Sequence, residues 1–144
     1  MDRKDPFGGY NFAVELDGIT RMGFKQCSGL DSSSAATKYR EGTDPTLGSR
    51  QLPGMLSFSH ISLQRGITDD RALWNWRNDV ASGKLTRHTI SIILRDDAGN
   101  EKIRWNVKNC WPLKWAGPTF DATSDAVAIE TLELAHEGIE VQKW

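Results

Sequence analysis

The stretch VAIETLELAHEGIEV, residues 127–141, decides the fold of this 144-residue chain, because two different elements are compatible with it. Its Ala, Leu and Glu residues favour a helix. In an extended strand, Val127 and Ile129 would share one face, while Leu132 and Leu134 would share the other. Such a strand would be apolar on both sides and would need to be covered on both. The residues of this stretch alone leave helix and strand open.

The same stretch contains a His-Glu pair that resembles a catalytic or metal site. In a strand, His136 and Glu137 would point to opposite faces, and in a helix adjacent residues do not face each other either. His60, His88 and His136 show no metal-ligand spacing, and the chain has no C-x-x-C, P-loop, G-x-S-x-G or G-x-G-x-x-G motif. We therefore expect no catalytic residue, no metal and no cofactor.

Composition predicts one ordinary globular domain over residues 1–144, with 38% hydrophobic and 26% charged residues. The net charge of −1 disfavours a nucleic-acid-binding protein, because a domain that binds the phosphate backbone usually carries a basic excess. The N-terminus, MDRKDPFGGY, lacks the apolar region of a secretion signal, and no apolar run approaches the ~20 residues of a membrane span. We expect folding in a reducing cytoplasm, with Cys27 and Cys110 as free thiols.

Alternating apolar and polar residues predict the clearest strands. Residues 10–16 alternate in this way, and so do residues 90–94 and 103–107, which flank a polar turn and therefore predict a hairpin. Pro112 and Pro118 lack a backbone donor, so they predict that the chain after this hairpin forms an edge, a bend or a short strand.

The region between these strands is harder to interpret. Residues 31–37 are small and polar and predict a loop, and residues 38–41 predict a short strand. Residues 42–54 hold three Gly and two Pro and predict a long loop, which is unusual in a compact domain and often functional. Residues 55–63 predict a strand that is apolar on both faces.

One helix is predicted between residues 68 and 83. Thr68 or Asp69 would cap it, Asp69 and Asp70 would place negative charge in its first turn, and Gly83 would end it. Its core stripe is Leu73, Trp76 and Val80. Together with about seven strands, this helix predicts a mainly β fold, a β-sandwich or barrel with one helix packed on it.

Seven motifs in a fixed order resemble the T4-type tail tube family, whose members form the inner tubes of contractile phage tails and of phage-tail-like contractile injection systems. The resemblance extends from about Asp5 to Glu140. The motifs are FAVELDGI (12–19), GFKQCSGLD (23–31), YREGTD (39–44), RQLPG (50–54), LQRGITDDRALWNWRNDVASGK (63–84), LRDDAGNEKIRWNVKNCWPLKW (94–115) and AIETLELAHEGIE (128–140).

This resemblance implies a fold in which two packed antiparallel sheets form a small barrel or sandwich with one flanking helix. It also implies an assembly rather than a reaction. Copies of the chain would form six-fold rings, the rings would stack into a hollow tube, and a contracting sheath around the tube would drive it into a target. A baseplate hub with a spike and a tube-initiator protein would be further partners. The lumen could carry a toxin protein or DNA, and no transmembrane segment would enter the membrane.

The resemblance also implies roles for particular residues. It implies that residues 127–141 are a strand. It implies a ring-stacking role for the loop residues Asp44, Pro45, Leu47 and Arg50. The strands in the tube wall or between subunits would contain Phe58, Ile61, Leu132, Leu134 and His136.

Two other classes of function remain open at this point. A carbohydrate-binding β-sandwich could use Trp105, Trp111 and Trp115 as stacking platforms. A metal hydrolase would need its three histidines, those at positions 60, 88 and 136, to converge in space.

Overall fold

A computed structural model describes residues 3–17 and 20–144, which form ten β-strands and one α-helix. The helix α1 is Ala72–Ala81. The strands are β1 (Phe12–Leu16), β2 (Thr20–Met22), β3 (Gln26–Ser28), β4 (Ser33–Tyr39), β5 (Arg50–Ser57), β6 (Ile61–Gly66), β7 (His88–Arg95), β8 (Glu101–Ala116), β9 (Ile129–Ala135) and β10 (Ile139–Lys143).

Eight of the ten strands form two antiparallel sheets, as the family resemblance implied, and the long strand β8 belongs to both. The first sheet has the order β2-β1-β7-β8-β10, and the second has the order β3-β6-β9-β8. The first half of β8 pairs with β7 and β10, while its second half pairs with β9. The predicted hairpin is confirmed, because β7 pairs with β8 and brings Ile92 opposite Trp105.

The prolines do not limit β8 as the sequence suggested. Pro112 is buried within this 16-residue strand, opposite Leu134 of β9. The register shifts between Pro112 and Lys114, which is the kind of irregularity that accommodates a residue without a backbone donor. Pro118 does follow the end of the strand.

Residues 127–141 are extended, as the family resemblance implied, but they form two strands. Both β9 and β10 run along β8, and a bend separates them. At the bend the Glu137 N–H donates to the Lys108 carbonyl at 3.0 Å, and the Lys108 N–H donates to the Gly138 carbonyl at 2.9 Å. Gly138 has φ +151° and Asn109 opposite it has φ +52°, so both strands turn at the same level and carry the chain from one sheet to the other.

The core lies between the two sheets and is closed on one side by α1. Leu73 and Trp76 are buried, and Val80 packs against the same cluster from a half-buried position. The other buried members of this cluster are Val14, Ile61, Leu63, Ile90, Ile92, Val107, Cys110, Leu132 and Leu134.

The start of α1 differs from the prediction. The helix begins at Ala72, and neither Thr68 nor Asp69 caps it. Instead the Ala72 N–H donates to Oδ1 of Asp70 at 3.0 Å, while Arg65 donates to Oδ2 of Asp70 at 3.1 Å. The buried Arg65 therefore fixes the entry to the helix from β6, a contact between elements that local capping rules do not contain. Gly83 follows the last turn with φ +94°, as predicted.

The region between β3 and β6 also differs from the prediction. Residues 33–39 form a strand rather than a loop, and the long predicted loop is shorter because β5 begins at Arg50. The strand predicted over residues 55–63 is interrupted at residues 58–60. The pattern misleads because β4 and β5 pair only with each other, so no apolar face is required by the chain's own core.

Candidate functional site: the exposed ribbon and its base

The most unusual surface is the two-stranded ribbon of β4 and β5. Every residue of both strands is exposed, including Leu52, Met55 and Leu56, and Met55 keeps 84% of its surface. An isolated pair of strands is at best marginally stable in water, and unpaired strand edges invite another strand. The ribbon is therefore built to be covered by another molecule.

The apex loop of the ribbon, residues 40–49, is organised around Asp44. Its carboxylate accepts from the Glu41 N–H at 2.9 Å and from Arg50 at 2.6 Å. Arg40 donates to the Thr46 carbonyl at 3.0 Å and braces the other side of the loop. These bonds hold the loop in one shape before any partner binds.

The four residues predicted for ring stacking all belong to this part of the ribbon, but they have different environments. Asp44 and Arg50 are bonded to each other inside the loop. Pro45 is exposed, and Leu47 is exposed over 92% of its surface. Leu47 is therefore the free apolar contact, and Asp44 and Arg50 shape its support.

A chain of contacts fixes the base of the ribbon to the body. The Ser59 N–H donates to Asp31 at 2.9 Å, and hydrogen bonds from Ser59 lower the pKa of that carboxyl. Nε2 of His136 lies 2.8 Å from the Ser59 carbonyl, while Nδ1 accepts from the Gly138 N–H at 3.2 Å, an arrangement that suits the neutral Nε2–H tautomer. The ring of Phe58 lies 5.4 Å from the His136 ring. His136 therefore makes a structural contact with the Ser59 carbonyl. No pattern in the sequence indicated that Ser59 and Asp31 would lie at this contact.

Three of the predicted wall residues point inward. Ile61, Leu132 and Leu134 have no exposed surface and lie in the chain's own core. Every second residue of β6 and β9 is buried between the sheets, which is why Ile61, Leu132 and Leu134 face inward. Phe58 and His136 are half-buried at the ribbon base.

The alternating residues of the same strands form a polar face on the outside of the second sheet. Ser62 lies opposite Glu133, and Gln64 lies opposite Thr131. Lys114 of β8 completes one row beside Glu133. Gln26 and Ser28 of β3 extend the two rows, while the apolar Ile129 and Trp111 lie at the ends of this face. The central part of the face is polar and carries one charge of each sign.

The arrangement of the histidines and tryptophans does not suggest a chemical or sugar-binding site. His88 contacts Asp17 at 2.6 Å in the first sheet, whereas His136 contacts the Ser59 carbonyl at the ribbon base. Within residues 3–17 and 20–144, no group of three or more His, Cys, Asp or Glu side chains could hold a metal ion. Trp105 and Trp115 pack partly against the core, so they form no shared open platform. No helix in the described ranges is long and apolar enough to span a membrane.

These features define a structural subunit that is built to assemble. The family model for T4-like virus tail tube protein gp19 matches residues 8–140, so the chain belongs to that family and the resemblance of its motifs is confirmed. It is a tail tube protein of the kind found in contractile injection systems, and its role is structural rather than enzymatic.

Solved structures agree with this assignment. A chain from the sheath–tube complex of the extracellular contractile injection system PVC in its extended state is 30% identical, with a TM-score of 0.85 over 96% of this chain and 93% of that one. A chain from the structure of the anti-feeding prophage's tube-terminating cap is 28% identical, with a TM-score of 0.90 over 100% of this chain and 95% of that one. Hcp1 from Flavobacterium johnsoniae shares the fold, with 14% identity and a TM-score of 0.57 over 94% and 97%. Comparison with curated proteins gave no match.

Proposed function

We propose that six copies of this chain close into a ring and that the rings stack into a hollow tube. The fully exposed β4–β5 ribbon is the observation that carries this proposal, because its strands contact no core of their own and need neighbours. A closed head-to-tail ring supplies a neighbour for each open edge. The tube then does mechanical work as a conduit and makes or breaks no covalent bond.

The polar outer face of the second sheet is the proposed wall of the channel. The ribbon continues the β3–β6 pair of this sheet, so joining ribbons around a ring would extend this sheet and not the first one. Its central rows present hydroxyl and amide groups with balanced charge from Lys114 and Glu133. Such a wall stays hydrated and offers little adhesion to a passing toxin protein or DNA.

The partners of the relatives indicate the surroundings of the tube. One relative that is 30% identical comes from a sheath–tube complex, and another chain of equal identity comes from a sheath/tube terminator. We extend these partners to this chain: a sheath around the tube, a terminator at one end, and a baseplate with hub, spike and initiator at the other. Assembly in the bacterial cytoplasm, as part of a phage tail or a phage-tail-like particle, completes the proposal.

Size measurement and imaging of the purified chain test this function. Light scattering coupled to gel filtration should show ring-sized particles, and negative-stain images should show rings or tubes. A variant in which residues 33–57 are replaced by a short Asn-Gly turn is the control, because every strand residue that it removes is exposed. The control should fold and stay monomeric. A parent chain that is monomeric at high concentration across a range of salt would refute the proposal.

A further inference from the structure

An open apolar groove lies between the ribbon base and the first sheet. Its volume is about 400 Å³. Leu56 and Val141 lie on it with 59% and 48% of their surfaces exposed, and Phe58 and Trp105 lie deeper. Asp31 adds a carboxylate to its lining, and hydrogen bonds from Ser59 lower the pKa of this group, which keeps it charged.

The groove and the exposed Leu47 are two apolar features that the same chain cannot bring together. Leu47 is at the apex of the ribbon, whereas Leu56 is at its base. The part of β5 between Arg50 and Leu56 separates them by roughly 20 Å of extended strand. The apex loop is held in shape by the Arg50–Asp44 contact, so it does not fold back. Leu47 can therefore reach such a groove only on another molecule.

We propose that the groove of one subunit receives Leu47 and the apex loop of a subunit in the next ring. This inference rests on the proposed tube and adds the receiving surface for the stacking loop. The charges agree with it, because Arg50 stays half exposed beside the apex although it contacts Asp44 and Glu41, and it would approach the anionic Asp31. A contact between two different surfaces of identical chains either closes into a ring or propagates along an axis. In the proposed tube the strand edges join neighbours within a ring, so the contact between apex and groove joins one ring to the next.

Two complementary variants test the inference. Leu47→Asp places a charge on the inserted residue, and Val141→Asp places one in the groove, on an edge strand where the side chain is half exposed. Each variant alone should form single rings and lose tubes. An equal mixture of the two preformed rings should form stacks of two rings and no longer ones, because an intact apex then meets an intact groove at one junction only.

The outcomes separate this inference from the proposed function. Long tubes from either variant alone, or single rings only in the mixture, would overturn the groove assignment while leaving the ring proposal intact. Folded monomers from both variants would show that the groove acts within a ring and would also overturn it. Monomers from the parent chain would instead refute the tube itself.

Cysteine pairing in parent-like tubes gives an independent measurement. Leu47→Cys combined with Val141→Cys should produce a ladder of covalent multimers on a non-reducing gel after mild oxidation. Leu47→Cys combined with Asn75→Cys, on the exposed face of α1, should not. The native thiols interfere little, because burial raises the pKa of Cys27 to about 11 and that of Cys110 to about 12. Tubes without a ladder from the first pair would contradict the proposal.

Discussion

Trp76 connects the helix to the sheets through both its ring and its nitrogen. Only 8% of its surface is exposed, and its ring meets the His88 ring edge-on at 5.1 Å. Its Nε1–H donates to the Thr86 carbonyl at 3.0 Å. The stripe of Leu73, Trp76 and Val80 was predictable from the sequence, because helical periodicity marks residues that face their own core. The hydrogen bond to Thr86 was not, because it depends on where the chain goes after the helix.

Replacing Trp76 tests this placement. Trp76→Ala should lower the free energy of unfolding by about 3–5 kcal/mol, because it leaves a cavity beneath α1. Trp74→Ala is the matched control, since Trp74 is 42% exposed and pairs edge-on with Trp115. The control should cost about 0.5–1.5 kcal/mol. Urea unfolding followed by circular dichroism measures both, and equal losses would contradict the burial of Trp76.

Arg65 is the other residue on which the helix depends. It is buried, and it donates to Glu130 at 2.5 Å and to Asp70 at 3.1 Å. The Ala72 N–H and Arg65 both donate to Asp70, and these hydrogen bonds lower the pKa of its carboxyl. A carboxyl with a lowered folded-state pKa stabilises the fold above its unfolded value of about 3.9. That contribution disappears as the pH falls through the folded-state pKa.

The pH dependence of melting tests this account of Asp70. Asp70→Asn should lower the melting temperature at pH 7, and the difference from the parent should shrink as the pH falls below about 4. Asp69→Asn is the control, because it removes the same charge from a neighbour that makes no hydrogen bond within the described part of the chain. A difference at Asp70 that persists unchanged at pH 2 would refute a role for its ionised form.

At the scale of elements, periodicity predicted what faces the chain's own core and failed for what faces outward. The β7–β8 hairpin alternates because one face of it is buried. The ribbon strand β4, with its small polar residues, carries no such signal, because all of its residues are exposed. The break at residues 58–60 was also missed, because it depends on a close approach between Gly29 and His60.

Replacing Gly29 tests how the ribbon is attached to the two sheets. Its φ is +99°, and a Cβ there would lie 2.1 Å from the His60 carbonyl oxygen. Gly29→Ala should therefore destabilise the fold by about 1–3 kcal/mol or more and should misalign the ribbon, so that tubes become rare. Gly42→Ala, in the apex loop, is the control, because a Cβ there meets nothing within 4 Å. Unfolding curves measure the loss of stability in both variants, and negative-stain images show whether tubes form. Normal tubes from Gly29→Ala would contradict this account.

At the scale of the whole molecule, the family could be identified from its motifs, but the surfaces could not. The predicted wall strands β6 and β9 do lie in one sheet, yet the apolar residues chosen from them, Leu132 among them, face inward. Hydrophobicity selects core residues, while a channel wall needs the polar residues between them. The outer face of the second sheet is the proposed channel wall, and which residues lie on it depends on the register of four strands. Periodicity in the sequence does not give that register.

Labelling of assembled tubes tests the proposed wall. Ser62→Cys places a thiol in the middle of the polar face, and Asn75→Cys places one on the exposed side of α1. Because Cys110 is buried, Cys27 is half-buried and both thiols have raised pKa values, a maleimide carrying a small gold particle should react mainly at the new site. With Ser62→Cys labelled before assembly, gold should lie along the tube axis in electron micrographs, whereas labelled Asn75→Cys should place it outside.

Once tubes have formed, a maleimide attached to a bulky protein should reach Asn75→Cys only. Gold outside the tube for Ser62→Cys would show that the second sheet faces away from the channel, even if the rings and tubes are normal.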